Sequence, residues 1–145
     1  MRSTLRGWTA WIVAIAVASL LPALLFAVLM FDGRIGASHA TGMGFLVAFT
    51  IALLHVLVFG VPITALLRHK QRFRPAAMLA AGFLAGLLPC GLFLLLQSLA
   101  TQEALAGLLN PVVGLIVLSA GGFGALAALG LWLVLRLMLP LPARR

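Results

Sequence analysis

Acidic residues are the scarcest feature of this 145-residue sequence, since Asp and Glu together number only two, at Asp32 and Glu103. Tyrosine is absent, and charged residues of all kinds make up 8% of the chain. A soluble domain usually carries about 25% charged residues, so this composition excludes a soluble globular fold. Disorder is excluded as well, because 64% of the residues are hydrophobic and a disordered chain needs low hydrophobicity.

These absences also limit the chemical activities that the protein can have. No long apolar stretch contains Asp or Glu, which argues against proton-coupled transport because it normally depends on membrane-embedded acids. The single cysteine, Cys90, cannot form an internal disulfide. No H-E-x-x-H or G-x-S-x-G motif occurs, and one histidine within the apolar stretches supplies too few ligands for a haem or zinc. We therefore expect no enzyme activity, no metal and no cofactor.

What the chain does contain is four long uncharged stretches, and each has room for one helix that crosses a membrane. A crossing takes about 20 apolar residues, and the period-2 alternation of a membrane β-barrel is missing. Asn110-Pro111 is typical of the turn that begins a helix. The sequence predicts an all-α fold, an integral membrane four-helix bundle that forms a single domain over residues 1–145. The predicted spans are Trp8–Phe31, Gly42–Leu67, Pro75–Leu99 and Pro111–Leu135.

The basic residues indicate how the chain is threaded. Four spans place both terminal segments and the connection between spans two and three on one side, and nine of the ten basic residues lie there. The positive-inside rule then predicts a multi-pass protein of the bacterial inner membrane with both termini cytoplasmic. Because topology explains the excess of positive charge, we expect no nucleic-acid partner. The nine residues are Arg2, Arg6, Arg68, Lys70, Arg72, Arg74, Arg136, Arg144 and Arg145.

A short internal similarity suggests a tandem repeat. Residues 20–26 (LLPALLF) and 87–93 (LLPCGLF) match at five of seven positions and lie 67 residues apart. Two copies of a helical hairpin, spans one–two and three–four, would place them at a similar depth. The alternative is chance similarity in a leucine-rich sequence.

Small residues recur at four-residue spacing on three of the predicted spans, which gives each of these helices a flat face. Close packing of such faces favours helix association in lipid. They could pack within one bundle or join copies or other subunits, and we expect some association because four helices would hardly use every face internally. The faces are Ala10, Ala14 and Ala18; Gly82, Gly86 and Cys90; and Ala120, Gly124 and Ala128.

His55, at the centre of span two, is the most informative polar residue. An ionisable residue within a membrane is a functional hypothesis by default. Counting along the spans places Ser19, Cys90 and Ser119 near the same depth, so a polar layer would form around His55 if these faces converge. The structural alternative is a neutral imidazole bonded to a serine hydroxyl or to a carbonyl freed by a proline.

The connection between spans two and three is the densest cluster of positive charge in the sequence. Four of its residues form a candidate collar for lipid headgroups: Arg68, Lys70, Arg72 and Arg74. Such a cluster attracts anionic lipid by about 1 kcal/mol per basic residue. It is equally the signal that sets orientation.

Two function hypotheses follow. The first is a non-enzymatic accessory or scaffold subunit that packs against membrane partners, or against copies of itself, through its small-residue faces. The alternative is a small oligomeric carrier, channel or lipid-translocating protein with a polar layer around His55. Membrane lipids are expected partners in either case.

Overall fold

The computed structural model describes residues 2–30, 37–70, 73–100 and 110–139. These ranges are almost entirely helical and contain no strand, which confirms the predicted all-α fold. In chain order the elements are α1 (Arg2–Met30), α2 (Ala37–His55), a π-helical turn (Val56–Gly60), α3 (Val61–His69), α4 (Pro75–Ala100) and α5 (Pro111–Met138).

Four helical segments within these ranges are long and apolar enough to cross a membrane, as the sequence predicts. Their bounds agree with the predicted spans to within three residues at every end. The chain is therefore compatible with a small multi-pass membrane protein, while its orientation and the tandem repeat stay predictions. The segments are Gly7–Leu29, Thr41–His69, Pro75–Leu99 and Pro111–Met138.

The start of α5 follows the predicted turn chemistry. The side-chain oxygen of Asn110 accepts a hydrogen bond from the backbone N–H of Val112 at 2.9 Å. Pro111 occupies the first turn, where its missing N–H leaves no hydrogen bond unmade. The cap therefore fixes where span four begins.

Span two is not the regular helix that its sequence suggests. The backbone N–H of Val61 donates to the carbonyl of Val56, five residues earlier, and this bond closes the π-helical turn. Pro62 follows directly, in the first turn of α3. A proline within a regular α-helix lacks an N–H and its ring clashes with the carbonyl four residues before it. We attribute the wider turn to this clash, since an added residue in the turn relieves it.

The helices pack in the order α2, α1, α5, α4. Within the described ranges α5 lies along both α1 and α4, α1 also lies along α2, and α2 has no comparable contact with α4 or α5. Helix α1 begins, α3 connects to α4 and α5 ends at the same end of the bundle. We call this the basic end. The buried core lies toward that end, and its members are Ala10, Ala14, Ala18, Val56, Met78, Ala127, Ala128, Leu131 and Leu135.

Two of the predicted small-residue faces meet each other. A Cβ atom added to Gly82 would overlap the Cβ of Ala128 and the carbonyl of Gly124, and one added to Gly86 would overlap the carbonyl of Ala120. The backbones of α4 and α5 therefore approach so closely that only glycine fits at these positions of α4.

The third face, on α1, is also used within the chain. Ala10, Ala14 and Ala18 are fully buried, and a Cβ atom added to Gly130 of α5 would lie 3.3 Å from the Cα of Ala18. All three faces thus contribute to contacts inside the bundle. This fold therefore leaves none of the three faces wholly free for association, and association itself stays a prediction.

Candidate functional site

His55 is the last residue of α2 and lies immediately before the π-helical turn. Its ring packs against that of Phe59, with 4.9 Å between centroids and a tilt of 41°. The Nε2 atom is buried and has no hydrogen-bond partner among the described residues. One nitrogen of this imidazole is therefore enclosed, and none of the residues that the structure describes offers it a hydrogen bond.

A small cavity of about 20 Å³ lies beside this ring. Its wall includes His55 and Thr64 from span two, Met78 from α4 and Leu131 from α5. The hydroxyl of Thr64 donates to Sδ of Met78 at 3.9 Å, a long contact typical of a weak sulfur acceptor. A space of about 10–15 Å³ or more is enough to hold one water. The cavity is thus of the size to admit a single water next to an imidazole and a hydroxyl.

The other members of the predicted polar layer lie elsewhere. Ser19 is buried and its hydroxyl donates to the carbonyl of Ile15 at 2.9 Å, within its own helix. Ser119 is exposed and donates to Leu115 at 2.8 Å in the same way. None of Ser19, Ser119 and the half-buried Cys90 lines the cavity. The structure does not bring these three side chains together around His55, and a functional role for any of them stays a prediction.

Sequence reasoning missed the partners that the fold does place beside His55. Thr64 is fully buried one turn into α3, and Met78 is 1% exposed near the start of α4. A signal for the irregular backbone was present, because Pro62 interrupts an otherwise apolar stretch. No comparable signal marks Met78, since its position at the cavity depends on how α4 packs against α3 and α5.

The arrangement offers limited chemistry. Within the described ranges, no group of three or more His, Cys, Asp and Glu side chains is placed to hold a metal ion. The imidazole can bond a small polar guest and exchange one proton with it. The geometry of this site therefore fits a hydrogen bond between the imidazole and such a guest.

A second group of polar side chains lies at the basic end. Of the predicted headgroup collar, Arg68 is half-buried while Lys70 and Arg74 are exposed. Arg72 lies outside the described residues. The guanidinium of Arg68 lies over the ring of Phe73 with 5.6 Å from Cζ to the centroid. The collar therefore contains one anchored arginine beside residues that extend into the surroundings.

Comparisons of the chain with models of known families, with curated proteins and with solved structures found no match. Any function must therefore be argued from the residues and their packing.

Proposed function

We propose that the chain is a non-enzymatic accessory or scaffold subunit of the bacterial inner membrane. The observation that carries this proposal is the unequal burial of the four spans. In the most apolar window of each, 28% and 22% of the residues are buried in spans one and four but only 6% in spans two and three. Spans two and three therefore contain fewer fully buried residues than spans one and four, and more of their surface is left for lipid or for partners.

The outward faces of spans two and three are better suited to docking than the small-residue faces. The small-residue faces are occupied inside the bundle, whereas Ile51 and Leu88 are 62% and 61% exposed. In the described part of the chain α2 has only α1 as an extensive neighbour. Because helices in lipid associate through packing contacts, a span with one neighbour leaves most of its surface free for a further helix.

Photo-crosslinking in the native membrane tests this proposal. A photoreactive amino acid at Ile51 or at Leu88 should give adducts with protein, whose mass distinguishes a second copy from another subunit. The matched controls are Leu24 on α1 and Leu133 on α5, which are 51% and 48% exposed. We expect them to label lipid. Lipid adducts alone at all four positions would contradict the accessory role.

A second candidate is a small oligomeric carrier, channel or lipid-translocating protein built around His55, and one observation favours it. The buried Nε2 of His55 has no partner in the described part of the chain, and the ring lines a cavity between spans two, three and four. An unsatisfied polar group in the bilayer core is costly, so a group that enters the cavity and bonds Nε2 would relieve the cost. Water or a transported proton fits that space.

Flux measurements separate this candidate from the first. Proteoliposomes that contain a pH-sensitive dye report proton movement, and a fluorescent lipid quenched by dithionite reports lipid translocation. His55→Ala should abolish whichever flux the wild-type chain supports, provided that the variant elutes as a folded protein. His69→Ala is the matched control because His69 is exposed at the end of α3. Equal flux in both variants would remove His55 from the mechanism.

A further inference from the structure

Two arginines at the basic end are held in place by aromatic rings. Arg68, in the last turn of α3, lies over Phe73, and Arg136, in the last turn of α5, lies over Trp132 at 5.0 Å. Both rings pack against the buried core. A cation over an anchored ring is attracted to its face, so these guanidinium groups have a defined position. The side chain of Arg74 is exposed, and no such ring contact is found for it among the described residues.

Each of these pairs also contains a buried N–H donor without an acceptor. Nη1 of Arg68 and Nε1 of Trp132 are inaccessible and find no hydrogen-bond partner in the described part of the chain. A guanidinium has donors only, and a charged donor that is desolvated and unpaired is unfavourable. The two acidic residues of the sequence, Asp32 and Glu103, lie in the chain segments between α1 and α2 and between α4 and α5. Nη1 itself is enclosed, but Arg68 is only half-buried, so an anion from outside these helices can reach the exposed part of its side chain.

We propose that Arg68 binds a phosphate group, as carried by an anionic lipid headgroup or by a free phosphate ion. Guanidinium recognises phosphate oxygens through two parallel hydrogen bonds, which a lysine ammonium cannot reproduce. Arg68 lies at the end of a span, where the headgroups of a bilayer begin. Lys70 and Arg74 add positive charge around it and increase the local concentration of anions.

Lipid binding to the full purified chain tests the assignment. Native mass spectrometry in detergent, with added phosphatidylglycerol or with the phosphate-free digalactosyl diacylglycerol, measures how strongly each lipid is retained. We expect the wild-type chain to prefer phosphatidylglycerol. Arg68→Gln and Arg74→Gln remove the same charge, yet Arg68→Gln should lose roughly tenfold more affinity because it also removes the hydrogen bonds.

Arg68→Lys keeps the charge and covers the case in which Arg68→Gln does not fold. It should retain phosphatidylglycerol less well than the wild-type chain, since one ammonium cannot make the paired bonds. The unfolding temperature measured with added inorganic phosphate distinguishes a free phosphate ion from a lipid headgroup as the ligand. A stabilisation by phosphate that equals the effect of the lipid and disappears in Arg68→Gln identifies the free ion as the ligand.

Two results would overturn the assignment. One is an equal loss of affinity in Arg68→Gln and Arg74→Gln, which is what a general positive field produces. The other is equal retention of phosphatidylglycerol and the galactolipid by the wild-type chain.

Discussion

Among the described glycines, the tightest backbone contacts lie where α4 packs along α5. The carbonyl of Gly124 occupies the space that a Cβ of Gly82 would need, and a Cβ of Gly124 would overlap the carbonyl of Gly82 in return. Such close approach increases the van der Waals contact that holds helices together in lipid. The same residue type at Gly114 has no atom nearby, so position rather than composition decides what each glycine contributes.

One substitution made at two glycines checks this reading. Gly82→Ala should lower the free energy of unfolding by about 1–3 kcal/mol, because the added methyl group forces the two backbones apart. Gly114→Ala should leave it unchanged or raise it by up to about 1 kcal/mol, since alanine is the better helix former. Unfolding by SDS in mixed micelles, followed by circular dichroism, measures both. Equal stability of the two variants would show that α4 and α5 do not cross at Gly82.

Two substitutions at Trp132 separate the contribution of its ring to stability from that of its N–H group. Trp132→Phe keeps an aromatic face under Arg136 and removes a donor that has no partner among the described residues. In detergent without phosphate it should lower the free energy of unfolding by less than about 1.5 kcal/mol. Trp132→Ala removes packing against the core and should cost about 3 kcal/mol. If the two variants lose the same stability, Nε1 has a partner within the protein.

Part of the candidate site could be predicted from the sequence and part could not. The sequence draws attention to His55 because it is the one ionisable residue of the predicted span two, and the structure places its ring at a cavity. The predicted convergence with Ser19 and Ser119 relied on depth alone. Depth does not determine which face of a helix a side chain occupies, and each hydroxyl bonds a carbonyl of its own helix instead.

At the scale of helices, hydropathy was sufficient to predict where the four spans lie. The residue types at Asn110-Pro111 were sufficient to predict where one span begins. Four apolar stretches separated by charge leave few alternatives in lipid, and Asn110 caps α5 as its residue type predicts. The π-helical turn was not predicted, because it depends on how the backbone accommodates Pro62. The pairing of α4 with α5 could not be predicted either, since any two of the small-residue faces could have met.

Replacing Pro62 tests the origin of the π-helical turn. Pro62→Ala restores an N–H group and removes the ring, so the chain from Val56 to Val61 should return to regular α-helical hydrogen bonding. Backbone chemical shifts of the labelled protein in micelles report the change. The restored register rotates His55 relative to α3 and should alter the exchange of its ring protons with water. A turn that persists in the variant would mean that packing, rather than the proline, maintains it.

At the scale of the molecule, the distribution of the core gives the two ends different character. The buried cluster lies toward the basic end, where α1, α4 and α5 converge with the π-helical turn. Toward the opposite end α2 has only α1 as an extensive neighbour in the described ranges. The firmly packed end thus carries the anchored arginines, and the loosely packed half exposes the apolar faces proposed for docking.

Orientation in the membrane is the prediction on which the location of both proposed surfaces depends. An even number of spans puts the two termini on one side, and nine of the ten basic residues go with them. The positive-inside rule therefore predicts that both termini face the cytoplasm. Green fluorescent protein fused to either terminus should fluoresce, and alkaline phosphatase at the same positions should be inactive.

A phosphatase fusion truncated after Thr41 supplies the internal control, because the enzyme then follows span one and should be active outside the cytoplasm. Active phosphatase at one terminus of the full chain and inactive phosphatase at the other would require an odd number of crossings, which four spans do not allow. Active phosphatase at both termini would keep the four spans and invert them. The Arg68 site would then face the periplasmic leaflet, and the positive-inside reading of the sequence would be wrong.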